Sequence, residues 1–451
     1  MHSMTIEKAA SACGGRLVNC AAPDTPLGAA VIDSRKVQPG DLFAAYRGEK
    51  TDGHRFVRAA EEKGAVCALC ETLPEDAQGP VILVENVQTA LEAIAESYRK
   101  TLSIPVVGVT GSVGKTTGKE MVAAVLSRRF RVLKTEGNHN NQIGVPMTIS
   151  RIEPEHEAAV VEMGISDFGE MRGLARIARP TVALFTVIGR AHLEFLHDLE
   201  GVMRAKTEML EYLPDDGVIL LNGDDAMLRT LQSRQRQLRF GMGEDCDVRA
   251  LEPALLPDGS TRCRIVCGQR QIEAKIPAYG LQMVYAALEG AAAGIALGLT
   301  DAEIEQGIAA FRNVGRRSNL ENTGLVTLLD DSYNANPDSM RCGVDSLSEL
   351  PGRHVCVLAD MRELGGDSPR LHRELGAYVR EKGTDLLLCY GEMSACMAEG
   401  AGDIARHYPS REALLEELPK LLRPGDSVLV KASLSMGIGA VAEAIRGWKT
   451  L

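Results

Sequence analysis

This 451-residue sequence contains few aromatic side chains and no excess of positive charge. Only 4% of its residues are aromatic, whereas glycine is plentiful at 45 residues. This composition favours an enzyme built from repeated strand and helix layers over a sandwich of aromatic-rich strands. The formal net charge of −11 argues against nucleic acid or an anionic membrane surface as the main partner. A polyanionic substrate would therefore need a locally positive site.

Long apolar runs and a cysteine framework are also missing. No uninterrupted run reaches membrane length, and residues 1–8 lack a basic region followed by an apolar core. We therefore expect a cytoplasmic protein without integral membrane contact. Among the eleven cysteines, Cys67 and Cys70 form a lone C-x-x-C with no second pair at zinc spacing. Reduced, mostly buried thiols are expected in that compartment.

The length exceeds what one hydrophobic core organises, which predicts two or three domains. We place their boundaries at residues 1–101, 102–314 and 315–451. Alternation of strands and helices in the second and third regions predicts mainly parallel sheets, with ligands at the carboxyl ends of the strands. The apolar runs that predict strands are 81–84, 106–109, 158–161, 181–188, 218–221, 326–329, 355–358, 386–388 and 428–430.

The most informative stretch follows the first strand of the second region and opens a helix-patterned segment. It reads Gly111-Ser112-Val113-Gly114-Lys115-Thr116-Thr117. In such a cradle, glycines let successive N–H groups face an anion, while a Lys reaches the terminal phosphates and a Thr hydroxyl reaches Mg²⁺. Val109 stands where the strict pattern has a further Gly, so an ordinary glycine turn is the alternative. The flanking strand and helix patterns favour a nucleoside triphosphate site.

Two charged residues stand where hydrophobic patterns place them near this cradle. Glu162 ends a hydrophobic strand, either as the second carboxylate that holds Mg²⁺ or as a residue facing water. Lys206 falls within a helical apolar stripe over 199–213. It either snorkels to solvent or, as a desolvated neutral amine, takes up CO₂ to form a carbamate that could bind metal.

Other candidates keep two interpretations each. His192 could position a metal or be structural. Asn138, Asn140 and Asn141 could contact a nucleobase or phosphate, or form a turn for backbone reasons alone. Arg316-Arg317 could reach phosphate when domains close, or form a solvated linker.

Together these residues resemble the ATP-dependent Mur ligases of bacterial cell-wall synthesis, over essentially the whole chain. The most specific match is the segment 330–340, Asp-Asp-Ser-Tyr-Asn-Ala-Asn-Pro-Asp-Ser-Met, which is similar to the signature of the member that adds a dipeptide. The supporting matches are 33–35, 40–43, 111–117, 137–141, 143–146 and 360–365.

The resemblance implies an α/β fold of three domains. They are an N-terminal UDP-substrate domain, a central P-loop ATPase domain with a mainly parallel sheet, and a C-terminal Rossmann-like domain. The implied cofactors are ATP and Mg²⁺, and the implied substrates are UDP-N-acetylmuramoyl-tripeptide and D-alanyl-D-alanine. The implied reaction passes through an acyl phosphate in a monomeric enzyme.

The same resemblance assigns residue roles. The implied catalytic residues are Lys115, His192 and Lys206. The implied metal ligands are Thr116, Glu162, His192 and carbamylated Lys206. The implied nucleotide contacts beyond residues 111–117 are Asn141 (adenine), Arg316 (phosphates) and Asp331 (ribose). The implied contacts with the other substrates are Ser34, Arg35, Asn334, Asn336, Lys431 and Ser433.

Two alternative functions stay open at this point. One is another Mur-type ligase that adds a single amino acid, against which the segment 330–340 speaks. The other is a P-loop switch protein in which hydrolysis drives a conformational change without ligation.

Overall fold

The structure is a computed structural model that describes residues 1–48 and 51–448. It contains three β-sheets, which follow one another along the chain and pack against helices. The predicted third region runs to residue 451, so its last three residues lie outside these ranges. Within the described ranges, no helix is both long and apolar enough to cross a membrane. All eleven cysteines are free thiols, and Cys67 and Cys70 are buried in one strand.

The N-terminal unit is built on a sheet of order β1-β5-β4-β3-β2. Strand β1 runs antiparallel to β5, and the other neighbours are parallel. Its elements are α1 (Ile6–Cys13), β1 (Arg16–Val18), β2 (Ala30–Val31), β3 (Leu42–Ala44), α2 (Val57–Glu62), β4 (Cys67–Cys70), β5 (Val81–Leu83) and α3 (Val87–Arg99).

The central unit is built on a sheet of order β14-β13-β12-β11-β10-β9-β6-β8-β7, parallel from β7 to β12 and antiparallel from β12 to β14. Its elements are β6 (Val106–Thr110), α4 (Lys115–Leu126), β7 (Val132–Lys134), α5 (Gly144–Ser150), β8 (Ala158–Glu162), α6 (Glu170–Ala178), β9 (Val182–Phe185), α7 (Leu193–Leu196), α8 (Leu199–Thr207), β10 (Val218–Asn222), β11 (Arg236–Gly241), β12 (Val248–Leu255), β13 (Thr261–Cys267), β14 (Arg270–Ile276), α9 (Gln282–Ala296) and α10 (Asp301–Ala309).

The C-terminal unit is built on a sheet of order β15-β16-β20-β17-β18-β19, parallel except where β15 meets β16. Its elements are β15 (Asn319–Asn322), β16 (Thr327–Asp330), α11 (Pro337–Ser348), β17 (His354–Ala359), α12 (Ser368–Glu381), β18 (Leu386–Tyr390), α13 (Ser394–Ala401), β19 (Ala405–Tyr408), α14 (Arg411–Leu421), β20 (Ser427–Lys431) and α15 (Gly439–Gly447).

Each apolar run that predicted a strand overlaps one, but two elements are shorter than their patterns. The run 181–188 leaves the sheet after Phe185, which lets residues 186–188 turn toward the β6–α4 loop. The stripe over 199–213 is the α-helix α8 only to Thr207, and Glu208–Tyr212 continue as a 3₁₀ helix. The predicted boundaries fall between α3 and β6 and between α10 and β15, although the division into domains remains a prediction.

Helices α12 and α13 pack with their backbones almost touching. A Cβ added to Gly376 would lie 1.9 Å from the carbonyl oxygen of Met397, and one added to Gly400 would lie 2.0 Å from that of Arg373. Glycine is therefore required at both positions, since neither backbone can retreat without disturbing the sheet beneath.

We predict that Gly376→Ala destabilises the protein, because overpacking of a buried contact costs about 1–3 kcal/mol. The matched control is Gly173→Ala in helix α6, where an added Cβ meets nothing within 4 Å. That substitution should raise stability by about 0.5–1 kcal/mol, since Ala loses less backbone entropy than Gly in a helix. Urea unfolding midpoints of the two variants test this, and a harmless Gly376→Ala would contradict it.

Candidate active site

A cleft of about 780 Å³ opens between the central and C-terminal units. Its central-unit wall comprises the β6–α4 loop, the segments after β8, β9 and β10, and the first turns of α9. Its opposite wall comprises residues of 331–343 together with Arg317, Ser318 and Lys431. A volume of this size suits a nucleotide-sized ligand, and the carboxyl ends of parallel strands form its floor, as expected for α/β sheets.

The β6–α4 loop has the backbone shape of a phosphate cradle. Gly111 and Gly114 adopt φ angles of 152° and 86°, where a side chain would be strained. A Cβ on Gly111 would also lie 1.9 Å from Thr186 Oγ1. Gly114 caps helix α4 without a side-chain hydrogen bond, so the first N–H groups of that helix are free to meet an anion. The loop residues that line the cleft are Ser112, Val113, Gly114, Lys115, Thr116 and Thr117.

Lys115 folds back over this loop. Its ammonium donates to the carbonyl oxygens of Gly111 (2.7 Å) and Ser112 (3.5 Å). Burial lowers the pKa of Lys115, while the Glu162 carboxylate opposes that shift. The ammonium is therefore held at the mouth of the cradle, where terminal phosphates would replace its carbonyl partners.

Glu162 is 1% exposed and is held from three sides. Its Oε1 accepts hydrogen bonds from Thr116 Oγ1 (3.2 Å) and Asn140 Nδ2 (2.8 Å). The ammonium of Lys119 lies 3.7 Å from Oε2. No hydrogen-bond donor in the described part of the chain reaches Oε2. A buried carboxylate oxygen without a donor is costly unless a ligand completes it.

The Thr116 hydroxyl and the open oxygen of Glu162 fit a hard cation such as Mg²⁺, which takes oxygen ligands and keeps several waters. Among residues 1–48 and 51–448, no group of three or more His, Cys, Asp or Glu side chains forms a ready metal site. A metal here would therefore depend on the phosphates themselves for further ligands.

Lys206 lies on α8 and is 1% exposed, so its ammonium does not reach water by snorkelling. Burial and the charge of Lys115 hold the pKa of Lys206 well below its usual value. Both effects favour the neutral amine, the state that carbamate formation requires.

His192 sits in the cleft wall at the start of α7, with a φ of 56°. Its Nδ1 lies 2.5 Å from Glu363 Oε2 of the C-terminal unit. The His192 imidazole beside it lowers the pKa of the Glu363 carboxyl group. This contact joins the 360–365 segment to the central unit.

The predicted substrate residues of the C-terminal unit hold one another. Lys431 is 2% exposed, and its ammonium lies 2.6 Å from Asp331 Oδ2 and 3.0 Å from the Asn334 carbonyl oxygen. Ser433 is also buried, and its hydroxyl accepts a hydrogen bond from the Arg362 N–H (3.0 Å). Ser433 therefore orders the segment beneath the cleft wall, and its assigned substrate contact remains a prediction.

Asn336 links the two units at the cradle. Its Oδ1 caps helix α11 by accepting from the Ser339 N–H (2.8 Å), and its Nδ2 lies 3.5 Å from the Ser112 carbonyl oxygen. Nearby, Asp338 Oδ2 accepts from the Arg190 N–H (2.7 Å). The 330–340 segment therefore contacts the β6–α4 loop directly.

The adjacent arginines face different surroundings. Arg316 donates to Glu443 (3.1 Å) at the surface and does not line the cleft. Arg317 lines it, with its guanidinium carbon 3.8 Å from the centre of the Tyr333 ring. This arrangement does not bring Arg316 to the cradle, and its assigned phosphate contact remains a prediction. The sequence named the pair but could not say which member faces inward.

Two asparagines of the turn at residues 138–141 have different structural roles. Asn140 supports Glu162, as described above, whereas Asn141 Oδ1 accepts from the Gly144 N–H (3.0 Å) at the start of α5. Asn141 lines the cleft, and its contact with adenine remains a prediction.

Ser34 and Arg35 lie on the N-terminal unit, outside the cleft lining. The Arg35 side chain is 86% exposed and makes a bidentate pair with Asp33, at 2.9 Å for both contacts. This hydrogen bonding lowers the pKa of Asp33 to about 2. Their predicted contact with the uridine diphosphate end stays untested.

Sequence reasoning missed one wall of the cleft. Asn222 ends β10 and Asp224 follows it, while Tyr285 and Glu289 come from α9. The Tyr285 hydroxyl donates to Asp224 Oδ2 (2.9 Å). The carboxylates at the end of a hydrophobic strand were a readable signal, but an acid inside an alanine-rich helix was not.

Three family models match successive parts of the chain. They are the Mur ligase family catalytic domain over residues 29–99, the Mur ligase middle domain over 109–295, and the Mur ligase glutamate ligase domain over 315–434. A Bacillus subtilis (strain 168) protein named UDP-N-acetylmuramoyl-tripeptide--D-alanyl-D-alanine ligase is 34% identical, and the match covers 98% of each chain. The chain belongs to the Mur ligase family.

Solved structures of the family agree with this. A crystal structure of MurF from Acinetobacter baumannii is 30% identical, covers 98% of this chain and 99% of its own, and superposes with a TM-score of 0.91. A MurF ligase from Thermotoga maritima in complex with ADP is 28% identical, covers 94% and 97% of the two chains, and gives a TM-score of 0.83. The likeness confirms the predicted α/β fold with a mainly parallel central sheet.

The buried Lys206 amine predicts a pH dependence. Below its ordinary pKa of 10.5 the unfolded chain binds a proton at this residue, whereas the folded chain does so only below its lowered pKa. The free energy of unfolding should therefore rise with pH across that window, and Lys206→Met should remove this rise.

Urea unfolding in CO₂-free buffer between about pH 7 and about pH 9 tests this. The native chain should gain stability relative to Lys206→Met as the pH increases. The exposed Lys63→Met is the matched control and should show no such trend. A constant difference between the native chain and Lys206→Met would contradict the prediction.

Proposed function

We propose that this enzyme ligates D-alanyl-D-alanine to UDP-N-acetylmuramoyl-tripeptide, converting ATP to ADP and phosphate. The observation that carries the proposal is that the phosphate cradle and the 330–340 segment line one cleft. An activated carboxyl group and an incoming amine can thus meet in one space. The name of the B. subtilis relative favours the dipeptide over a single amino acid as acceptor.

The reaction follows from the chemistry of these groups. A carboxylate oxygen of the tripeptide attacks the γ-phosphorus of ATP, and ADP leaves. The dipeptide amine then attacks the acyl carbon, phosphate leaves, and the nitrogen loses a proton. Lys115 and the N–H groups of α4 offset the repulsion between carboxylate and triphosphate. The docked 330–340 segment keeps water from the acyl phosphate.

Thr116 and Glu162 would hold Mg²⁺, which would neutralise charge on the phosphates. Asn140 and Lys119 contribute by fixing the Glu162 carboxylate in place. His192 and a carbamate on Lys206 would serve a second metal.

The remaining assignments complete the proposal. Ser34 and Arg35 bind near the uridine diphosphate end, and the Asn334 and Lys431 region meets the peptide. Because the reaction consumes ATP, we place the enzyme in the cytoplasm. We infer a monomer, since the central and C-terminal units of a single chain supply both walls of the cleft.

The first experiment is ATP-dependent phosphate release with UDP-N-acetylmuramoyl-tripeptide and either D-alanyl-D-alanine, single amino acids or no acceptor. We expect release only with the dipeptide, and a product heavier by one D-alanyl-D-alanine unit. Lys115→Met should lower the rate at least about a hundredfold, since it removes a preorganised charge from the transition state. Equal release in all three reactions would instead favour a nucleotide-dependent switch.

The carbamate on Lys206 has its own test. Lys206→Ala should be inactive and should regain activity with short-chain carboxylic acids, which supply the missing carboxylate. With ¹³C-labelled CO₂, the native chain should show a carbamate NMR signal that Lys206→Ala lacks. The control Lys63→Ala should need no acid. Failure of rescue together with absence of the signal would contradict the carbamate.

A further inference from the structure

Glu363 is an acidic residue of the C-terminal unit that the reaction described above does not use. Its Oε2 lies 2.5 Å from Nδ1 of His192, which belongs to the central unit. The backbone at Glu363 has a φ of 62°, in the left-handed region that residues other than glycine seldom adopt. Strain of this kind persists only where the surrounding structure fixes it, and it is concentrated at functional sites.

The backbone just before Glu363 is fixed by two buried side chains of the same unit. The Met361 N–H donates to His372 Nε2 (2.9 Å), and the Arg362 N–H donates to Ser433 Oγ (3.0 Å). His372 and Ser433 are both buried. Two successive peptide groups are therefore held from below, and the left-handed turn that follows carries the Glu363 side chain across to the central unit.

The central unit holds the other partner with similar care for position. His192 precedes α7 and is itself left-handed, with a φ of 56°. Helix α7 packs against the segment that contains Glu363, since a Cβ added to Gly365 would lie 3.4 Å from Glu194 Cα. The imidazole and the carboxylate are therefore brought together by packing between the two units.

The contact assigns different roles to the two nitrogens of His192. Nδ1 is buried, and no other polar group in the described part of the chain is its partner. A carboxylate this close attracts Nδ1 when that nitrogen carries a proton, which leaves the lone pair of a neutral ring on Nε2. None of the described residues forms a hydrogen bond with Nε2, and His192 lines the cleft. Nε2 is therefore the nitrogen left for a ligand.

We propose that Glu363 is a positioning residue, which holds the proton on Nδ1 of His192 and keeps the Nε2 lone pair available to the cleft. A carboxylate paired with one ring nitrogen fixes the tautomer and orientation of a metal-binding histidine in this way. The inference rests on the proposed function, in which His192 serves a metal. Because the two residues belong to different units, His192 is set only when the units are together. Readiness of the site is thereby linked to closure over the substrates.

The first test locates the proton on His192 by NMR of the full chain with ¹⁵N-labelled histidine, without substrates or metal. Spectra at about pH 8.5, where an ordinary imidazole is neutral, distinguish the two tautomers. His192→Gln identifies the His192 signals among those of the nine histidines. The native chain should carry the proton on Nδ1.

The variants show whether Glu363 is the cause. Glu363→Gln should keep the proton on Nδ1, since the carboxamide oxygen still accepts a hydrogen bond. Glu363→Ala should distribute it over both nitrogens. Glu381→Ala, at an exposed position on α12, is the matched control and should match the native chain. A native proton on Nε2, or an unchanged tautomer in Glu363→Ala, would overturn the proposal.

The second test measures dipeptide-dependent phosphate release. Glu363→Ala should lower kcat about 10- to 100-fold, the usual effect of removing the partner of a metal ligand. The KM for ATP should change little, because the phosphate cradle is untouched. Glu363→Gln should retain most of the rate, whereas a contact that acted only as an ion pair between the units would be lost with the charge. Thermal unfolding checks that each variant is folded, and Glu363→Ser replaces Ala if that variant is not.

The outcomes separate the two proposals. A native chain that releases no phosphate with the dipeptide would overturn the proposed function and this role with it, whatever the tautomer of His192. Dipeptide-dependent release that is as fast in Glu363→Ala or Glu363→Ser as in the native chain would overturn the role of Glu363 alone. A slow apolar or Ser variant, with the rate and the tautomer retained in Glu363→Gln, would support that role.

Discussion

The rest of this structure depends on the charged side chains around the β6–α4 loop. Lys115 and Lys206 are both held at lowered pKa, partly because the charge of Lys115 disfavours a second charge at Lys206. Glu162 is the carboxylate that opposes the shift at Lys115, and the ammonium of Lys119 lies 3.7 Å from it. A polyanionic ligand would bring further negative charge to Lys115 and to the N–H groups at the start of α4. This is how a chain of net charge −11 can bind a polyanion: the attraction is local and buried, where screening is weak.

The same loop is where the C-terminal unit docks. Asn336 reaches the Ser112 carbonyl, and Asp338 accepts from the Arg190 N–H, so the start of helix α11 is joined to the loops around the phosphate cradle. The site of activation and the segment assigned to the acceptor are thereby parts of one interface. Any motion that separates the units breaks these bonds and opens the cleft to water at once. Ligation and protection from hydrolysis depend on the same contacts.

Sequence patterns predicted the features that local chemistry dictates. Strands such as β6 are buried on both faces and form unbroken apolar runs, and the cradle glycines are required by backbone shape. Buried residues in strands β13 and β14 are separated by more exposed ones, so neither strand contains the continuous apolar run that marks the parallel strands. Which of Arg316 and Arg317 faces the cleft depends on packing between units. The position of Glu289 beside α4 depends on Gly118, which is distant in sequence.

Lys206 and Glu289 show how similar burial leads to different chemistry. Burial favours the neutral form of both, which gives a nucleophilic amine in one case and a hydrogen-bonding acid in the other. Their neighbours then differ. Lys206 is near the charge of Lys115, so a carbamate there would turn repulsion into attraction, and the surroundings favour gaining a negative charge. The pKa of Glu289 is raised by burial alone, so its surroundings favour the neutral acid and not a new charge.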